Sequence, residues 1–308
     1  MTEILNNLSA LRIDVRFFSD SPIQMKYWIG AVMRNRFLFA AESVSTAEGV
    51  SLRSVLDTLP LPESHFLYKH FGGGFPKGFF IDCSRLPGSG TGFKLAAARV
   101  YSFSVVLIGS VIAYRELFEE AIRKFLDLGF GEPPVPLTLV DVNHTELSLG
   151  ADSDICRPLS LELNFKTPVC LVPKSSASSN GFQGKMNGFP SVYQLARSAA
   201  YRLATLAMLY DDPSYFFDKY AMADRIETFV VPAAEAVLIS ADIRYAKCYS
   251  TPKKGHNTVY LMGGYVGSLR FDNVPAALLP LLSAGSVLGV GSDINYGLGC
   301  YDLRVIER

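Results

Sequence analysis

The sequence predicts an α+β chain in which one β-α-β-β-α-β unit occurs twice in tandem. Three observations predict it. Stretches with strand-like alternation and helix-like apolar spacing follow one another in the same order in each half. The strands read as antiparallel pairs, which disfavours a single large parallel α/β domain. A length of 308 residues with 49% apolar content suffices for two domains of ordinary size.

In the first half, residues 11–18 (LRIDVRFF) alternate apolar side chains with Arg, Asp and Arg, a strand pattern. Residues 24–39 have helical spacing, with Trp28, Val32 and Phe39 near one face. A polar stretch and the GGG at 72–74 follow, then a short strand at 78–82 and a strong one at 101–108 (YSFSVVLI). Residues 115–128 read as an amphipathic helix, and 135–142 as a strand after a Pro-rich turn. The aperiodic segment 150–158 reads as a linker, so the expected domains are 1–150 and 151–308.

The second half opens with a strand at 159–165, continued by VCLV after Thr167-Pro168. A polar, Gly-rich loop at 175–190 leads to a long Ala/Leu/Met helix at 191–210. Strands at 236–249, 258–271 and 300–306 complete the unit, with a short helix at 275–283 before the last. This order is the ferredoxin-like (RRM-like) arrangement, so the expected fold is two tandem ferredoxin-like domains with a Gly-rich loop at 285–299.

Lys+Arg and Asp+Glu are equal at 29 each, so net charge points to no polyanionic partner. Charge is nevertheless segregated. Residues 83–115, 163–210 and 243–271 contain Lys and Arg but no Asp or Glu, whereas acids collect at 116–120 and 211–227. Either the acid-free segments share one positive face, or they reflect the sparse charge of strands and apolar helices. The start lacks a basic segment followed by an apolar run, and the longest apolar stretch, 100–113, falls short of the roughly 20 residues of a membrane span. A cytoplasmic location without membrane contact is expected. Five scattered cysteines without a CxxC suit reduced thiols, and four histidines without HExxH offer no zinc-hydrolase motif; no metal or cofactor is expected.

The run GSVLGVGSDINYGLGCYDL at 285–303 is the most informative stretch. Its glycines allow positive φ and close backbone approach, so successive amides there form an anion-binding nest or a purely structural turn. It lacks the third glycine of a dinucleotide fingerprint and leads to a strand where that motif needs a helix; no Gly-Lys-Ser/Thr is present for a phosphate loop.

Three stretches carry a resemblance: AALLPLLSAGSVLGVGSDINYGLGCYDL, the upstream VYLMGGYVGSLRF at 259–271, and YWIGAVMRN at 27–35. RVYSFSVVLIGSVI, FLDLGFGE and FPSVYQLARSAAYRLATLAMLY fit with them. Together they resemble the CRISPR-associated endoribonucleases of the RAMP superfamily, which cut precursor CRISPR RNA within its repeats. The resemblance implies binding of CRISPR repeat RNA, other CRISPR-associated proteins as further partners, and metal-independent cleavage giving a 2′,3′-cyclic phosphate and a 5′-OH. Such chemistry needs a base near the 2′-OH, an acid near the leaving oxygen and a cation on the phosphorane. Within the same superfamily, a non-catalytic CRISPR RNA-binding subunit is the alternative; an unrelated small-molecule binder on this scaffold is a further one.

In the family a histidine near the first helix serves as acid or base; residues 24–39 here contain none. The candidate catalytic residues are therefore His256, His70 and Tyr27. His256 sits beside Lys253 and Lys254 in YSTPKKGHN between two strands, where two ammonium groups and an imidazole can grip a phosphate or form an ordinary solvated turn. His65 and His70 flank a polar stretch that reaches a cleft or stays an exposed loop. Arg34, Arg197, Lys253 and Lys254 are the candidate phosphate contacts, with Gly289, Gly291, Gly297 and Gly299 lining the RNA backbone.

Overall fold

The computed structural model describes residues 1–71, 74–88, 92–131, 133–150, 157–171, 189–252 and 259–306. A short α1 (Thr2–Asn7) precedes β1 (Ala10–Phe18), whose Ile13, Val15 and Phe17 are buried while Arg12, Asp14 and Arg16 lie between them on the other face. Then come β2 (Ile23–Met25), α2 (Ile29–Ala41), α3 (Leu52–Asp57), β3 (Phe79–Asp82), β4 (Phe93–Leu95) and β5 (Val100–Ile108). Helix α4 (Arg115–Leu128) turns Phe118, Ala121, Ile122, Phe125 and Leu126 into the core, and β6 (Thr138–Leu147) closes the first half. Its four-stranded antiparallel sheet has the order β3-β5-β1-β6.

The second half comprises β7 (Leu159–Val169), α5 (Val192–Tyr210), α6 (Lys219–Val230), β8 (Val237–Tyr249), β9 (Leu261–Val274), α7 (Leu279–Leu288) and β10 (Tyr301–Ile306). The sheet order is β10-β7-β9-β8, again antiparallel. In both sheets the first strand of the half is central, flanked by its third and fourth, so the two halves share one strand order. A capping box fixes the start of α5: Ser191 accepts from the Gln194 amide and the Gln194 side chain accepts from the Ser191 amide. A continuous apolar core runs through both halves. The Tyr210 hydroxyl at the end of α5 donates to the Pro76 carbonyl at 3.0 Å, and Gly109 packs directly on the Tyr210 backbone.

Several boundaries differ from the sequence reading, each for a local reason. The first helix begins at Ile29, because residues 23–25 pair with Phe93–Leu95 and Trp28 is extended. Phe39, expected on its buried face, is 58% exposed. The last strand of the first half starts at Thr138, since Val135 and Phe130 exchange backbone hydrogen bonds across a turn after α4. The helix expected at 275–283 lies at Leu279–Leu288, with Pro280 in its first turn, where no amide is needed, and a 3-10 turn before it. Helix α6 was not expected; its signal is Asp218, whose carboxylate accepts from the Tyr220 and Ala221 amides. The inter-domain linker and the Gly-rich loop at 175–190 fall largely outside the described residues. Among the described residues no helix is long and apolar enough to cross a membrane.

Cys83, Cys248 and Cys300 are buried. Burial pushes the Cys248 thiol up to about 12 from its ordinary 9.0, and it drives Cys83 and Cys300 upward as well. An acid whose pKa is raised on folding contributes stability that is complete below its unfolded value and disappears as pH climbs through the folded one. The denaturant midpoint is therefore expected to fall steadily from about pH 9 upward. A thiol reagent near pH 8 is expected to leave these three cysteines unlabelled until denaturant is added; rapid native labelling of any of them would contradict the packing.

Candidate functional site

The start of α2 is where the two halves meet. Trp28 donates its backbone N–H to the Tyr249 carbonyl at 2.9 Å and its indole Nε1–H to the Tyr296 carbonyl at 2.7 Å. One residue thus ties the first helix to the end of β8 and to the C-terminal Gly-rich turn. Gly30, two residues on, sits so close to that turn that a Cβ would lie 2.0 Å from the Tyr296 oxygen. Gly297 completes the contact from the other side, with φ of 72° and its carbonyl facing the Cys83 thiol at 3.9 Å.

Arg34 lies on the exposed side of this junction, its guanidinium carbon 5.1 Å from the centroid of the Tyr296 ring. Its neighbour Asn35 donates to the Thr251 hydroxyl, two residues beyond β8. Burial pulls the Arg34 guanidinium below its ordinary value; Tyr296 opposes the shift, Arg53 adds to it and Asp57 opposes it. Lys77 behaves alike: burial lowers its ammonium, Asp57 works against that, and Arg34 and Arg53 push further down. Arg53 and Lys77 both contact the Asp57 carboxylate, Lys77 at 3.2 Å, and Lys77 also stands 3.8 Å over the Phe75 ring. Arg53 and Lys77 therefore share one carboxylate, and Arg34, over the Tyr296 ring, is near enough to both to be felt electrostatically. Cationic groups held below their usual values by burial and by one another favour an incoming anion.

A second polar cleft, about 590 Å³, opens between the sheets around Arg12, Arg85, Lys166, Asp82, Ser84 and Ser286. Its cations are already matched. Arg12 and Arg85 each reach Asp14 at 3.0 Å, and Lys166 reaches Asp302 at 2.9 Å. Arg34, Arg53 and Lys77, with Asp57 as the carboxylate between them, are less fully matched.

The residues singled out in the sequence are placed as follows. Tyr27 immediately precedes Trp28 at the junction, half-buried, with the Lys26 ammonium 5.7 Å from its ring. His70 is exposed in a 3-10 turn at Tyr68–Phe71, edge-on to Phe71, which contacts Phe75 and so adjoins Lys77. His65 is held structurally: Nδ1 accepts from the Leu67 amide and Nε2 faces the Pro213 carbonyl at 3.1 Å. Arg197 contacts Glu227 on α6, which raises its pKa further, and stacks on Tyr201; none of these partners belongs to the α2 junction. Lys253, Lys254 and His256 lie outside the described residues; beyond β8 Thr251 meets Asn35 at the junction, and just before β9 stands Tyr260, whose phenol is raised chiefly by Asp293 of the Gly-rich turn.

Gly289, Gly291, Gly297 and Gly299 all have positive φ. The amides of Gly291, Gly297 and Gly299 are spent inside the protein, on the Ser198 hydroxyl and on the Ile294 and Pro168 carbonyls. At Gly291 a Cβ would meet the Cys170 carbonyl at 2.3 Å, so glycine there serves close packing against β7. Arg202, on α5, anchors the same turn from beneath: it donates to the Leu288 carbonyl at 2.6 Å, is half-buried, and burial lowers its pKa to about 10. Arg53, Lys77, Asn35, Thr251 and Tyr296 complete the site. Asn35 and Tyr296 lie inside stretches the sequence already marks; Arg53 and Lys77 carry no local signal and arrive only through tertiary packing. Among the described residues no group of three His, Cys, Asp or Glu side chains is placed to hold a metal ion.

The family model of the CRISPR-associated endoribonuclease Cas6 matches residues 163–301. No curated protein sequence matches the chain. Among solved structures, a partial Cas6-RT-Cas1–Cas2 complex aligns at TM-score 0.60 and 15% identity, covering 98% of this chain and 47% of that one. The chain thus spans under half the length of that relative. A Cas6 product complex aligns at TM-score 0.56 and 13% identity over 98% of this chain and 100% of that one. Thermus thermophilus Cas6 aligns at 0.52 and 12% over 96% and 99%. In sequence over residues 163–301 the chain resembles the CRISPR-associated endoribonuclease Cas6, and over nearly its whole length it resembles solved Cas6 structures in fold.

Proposed function

We propose that this chain binds CRISPR repeat RNA at the α2 junction and cleaves it without a metal ion, leaving a 2′,3′-cyclic phosphate and a 5′-OH. The observation that carries the reading is Arg34 over the Tyr296 ring, where Trp28 and Gly30 close α2 onto the Gly-rich turn, with Arg53 and Lys77 beside it sharing the single carboxylate of Asp57. The Cas6 family match and the likeness in fold to a Cas6 product complex support it. The two β-α-β-β-α-β halves are read as tandem ferredoxin-like domains, 1–150 and 151–308, with residues 285–299 as the closing loop.

In this reading the ribose 2′-oxygen attacks the adjacent phosphorus, the bond to the 5′-oxygen breaks, and a proton reaches that leaving oxygen. Arg34 and Lys77 stabilise the charge gathering on the phosphorane oxygens. His256, His70 and Tyr27 are the nominees for proton transfer, and Lys253 and Lys254 for the RNA backbone. The Gly-rich turn presents Tyr296, with Arg34 of α2 over its ring, to the RNA, the amides of Gly291, Gly297 and Gly299 being engaged within the protein. Arg197 is expected to matter little: its charge is matched by Glu227 away from the α2 junction, so Arg197→Ala should leave RNA affinity essentially unchanged. A filter-binding titration checks it.

The lack of histidine in residues 24–39 favours one second reading, an RNA-binding subunit that does not cut. Labelled repeat RNA incubated with the protein in EDTA separates the two. Shortened product with a cyclic phosphate end is expected; retention of intact RNA in a complex would establish the second reading. A 2′-deoxy substitution upstream of the cut should abolish product.

A further inference from the structure

The second sheet ends on an unusually open strand. β8 is thirteen residues long, outermost in its sheet, and pairs only with β9 among the described residues. Val237, Leu238, Ile239 and Tyr245 are exposed along it. A long apolar edge with unpaired backbone groups is a template for another strand unless charge or a break protects it. The other long outer strand, β6, is protected: it carries Asp141 and Glu146 with no Lys or Arg, and Asp141 is held by Arg16 at 2.8 Å. β8 instead carries both signs side by side, Asp242 and Arg244, with Lys247 further along, all three exposed and without a side-chain partner among the described residues; in the two-fold register below Lys247 faces Ile239 and meets no like charge.

We propose that β8 is the docking edge for a second copy of this chain, the two strands pairing antiparallel about a two-fold axis through Ile243. In that register Asp242 of each copy faces Arg244 of the other, giving two reciprocal ion pairs on one face of the joined sheet. On the opposite face Ile243 meets Ile243, flanked on both sides by Ala241 against Tyr245. Tyr245 is already braced edge-on against Tyr265 at 5.7 Å, and Ile243 packs on the core, so this apolar stripe is ordered before docking. The register is specific. Moving the axis one residue along places Asp242 opposite Asp242 or Arg244 opposite Arg244, and like charges directly opposed destabilise a strand pair. A two-fold interface of this kind buries the same edge on both copies and closes, leaving no further edge of that kind to propagate.

Sedimentation velocity of the full chain over a concentration series tests it. The wild type is expected to show a monomer–dimer equilibrium. Arg244→Asp, which sets like charges at both crossings, should weaken self-association about tenfold or more, and Asp242→Arg with Arg244→Asp together should restore it by exchanging the pair. Far-UV circular dichroism and thermal midpoints of each variant report folding separately, since both positions are exposed. A wild type monomeric to about 100 μM, a millimolar-class interaction at best, would overturn the proposal. So would a dimer that Arg244→Asp leaves intact, or a double exchange that stays as weak as the single variant.

Discussion

Arg34→Ala is expected to slow single-turnover cleavage of repeat RNA on the order of 10²- to 10³-fold, the scale of removing one preorganised charge stabiliser from a transition state. The guanidinium is half-buried over Tyr296, burial and Arg53 hold it below its ordinary value, and it in turn lowers Lys77, so its charge is poorly offset by solvent or by Asp57. An incoming phosphate relieves that imbalance, and the relief grows as negative charge builds on the phosphorane. Arg34→Lys should recover part of the rate, keeping the charge but losing the planar stack on the tyrosine. Affinity gives an independent readout. Loss of one phosphate contact should flatten the log–log salt dependence of RNA binding by roughly 0.7. A variant that loses rate with an unchanged salt slope would place Arg34 outside the RNA path.

Gly30→Val is expected to damage both the fold and the activity. The added Cβ would lie 2.0 Å from the Tyr296 carbonyl and 2.8 Å from the Trp28 indole nitrogen, which are the two atoms of the bond that fastens α2 to the Gly-rich turn. Neither is the free end of a flexible chain, so the turn must shift. Overpacking of this kind costs about 1–3 kcal/mol, and the lost indole hydrogen bond adds about 1 kcal/mol. The thermal midpoint should drop by several degrees, and cleavage should fall with it because Tyr296 moves away from Arg34. Gly88→Ala is the matched control: its nearest neighbours stand at 3.9 Å, ordinary contact, and its melting curve should overlay the wild type.

Patterns with a short range were legible in the sequence. Alternation in residues 11–18 and 101–108 and the spacing of α4 marked elements that lie where they were expected, since burial of one face is written into successive residues. The helix expected from residue 24 was displaced because β4, seventy residues away, captures residues 23–25 as a strand partner. The candidate site divides the same way. Arg34, Tyr27 and the glycines stood inside recognisable stretches, whereas Lys77 and Arg53 are ordinary surface-type residues until folding sets them around Asp57. Segregation of charge along the chain leaves a basic stripe open, and folding returns acids to three of its cations: Asp14 to Arg85, Asp302 to Lys166, Glu227 to Arg197. Only tertiary pairing reveals which cations stay short of a counter-charge.

The central claim is that RNA lies along the α2 junction, and photo-crosslinking of 4-thiouridine-substituted repeat RNA, mapped by mass spectrometry of the digested protein, tests it most directly. The account predicts adducts on the peptides that contain Tyr27 to Arg34, Lys77, Thr251 to Tyr260 and Tyr296, with their yield reduced by Arg34→Ala. Adducts confined to the Arg197–Glu227 face of α5 and α6, or to the cleft at Arg12 and Lys166, with the α2 junction unmarked, would contradict it.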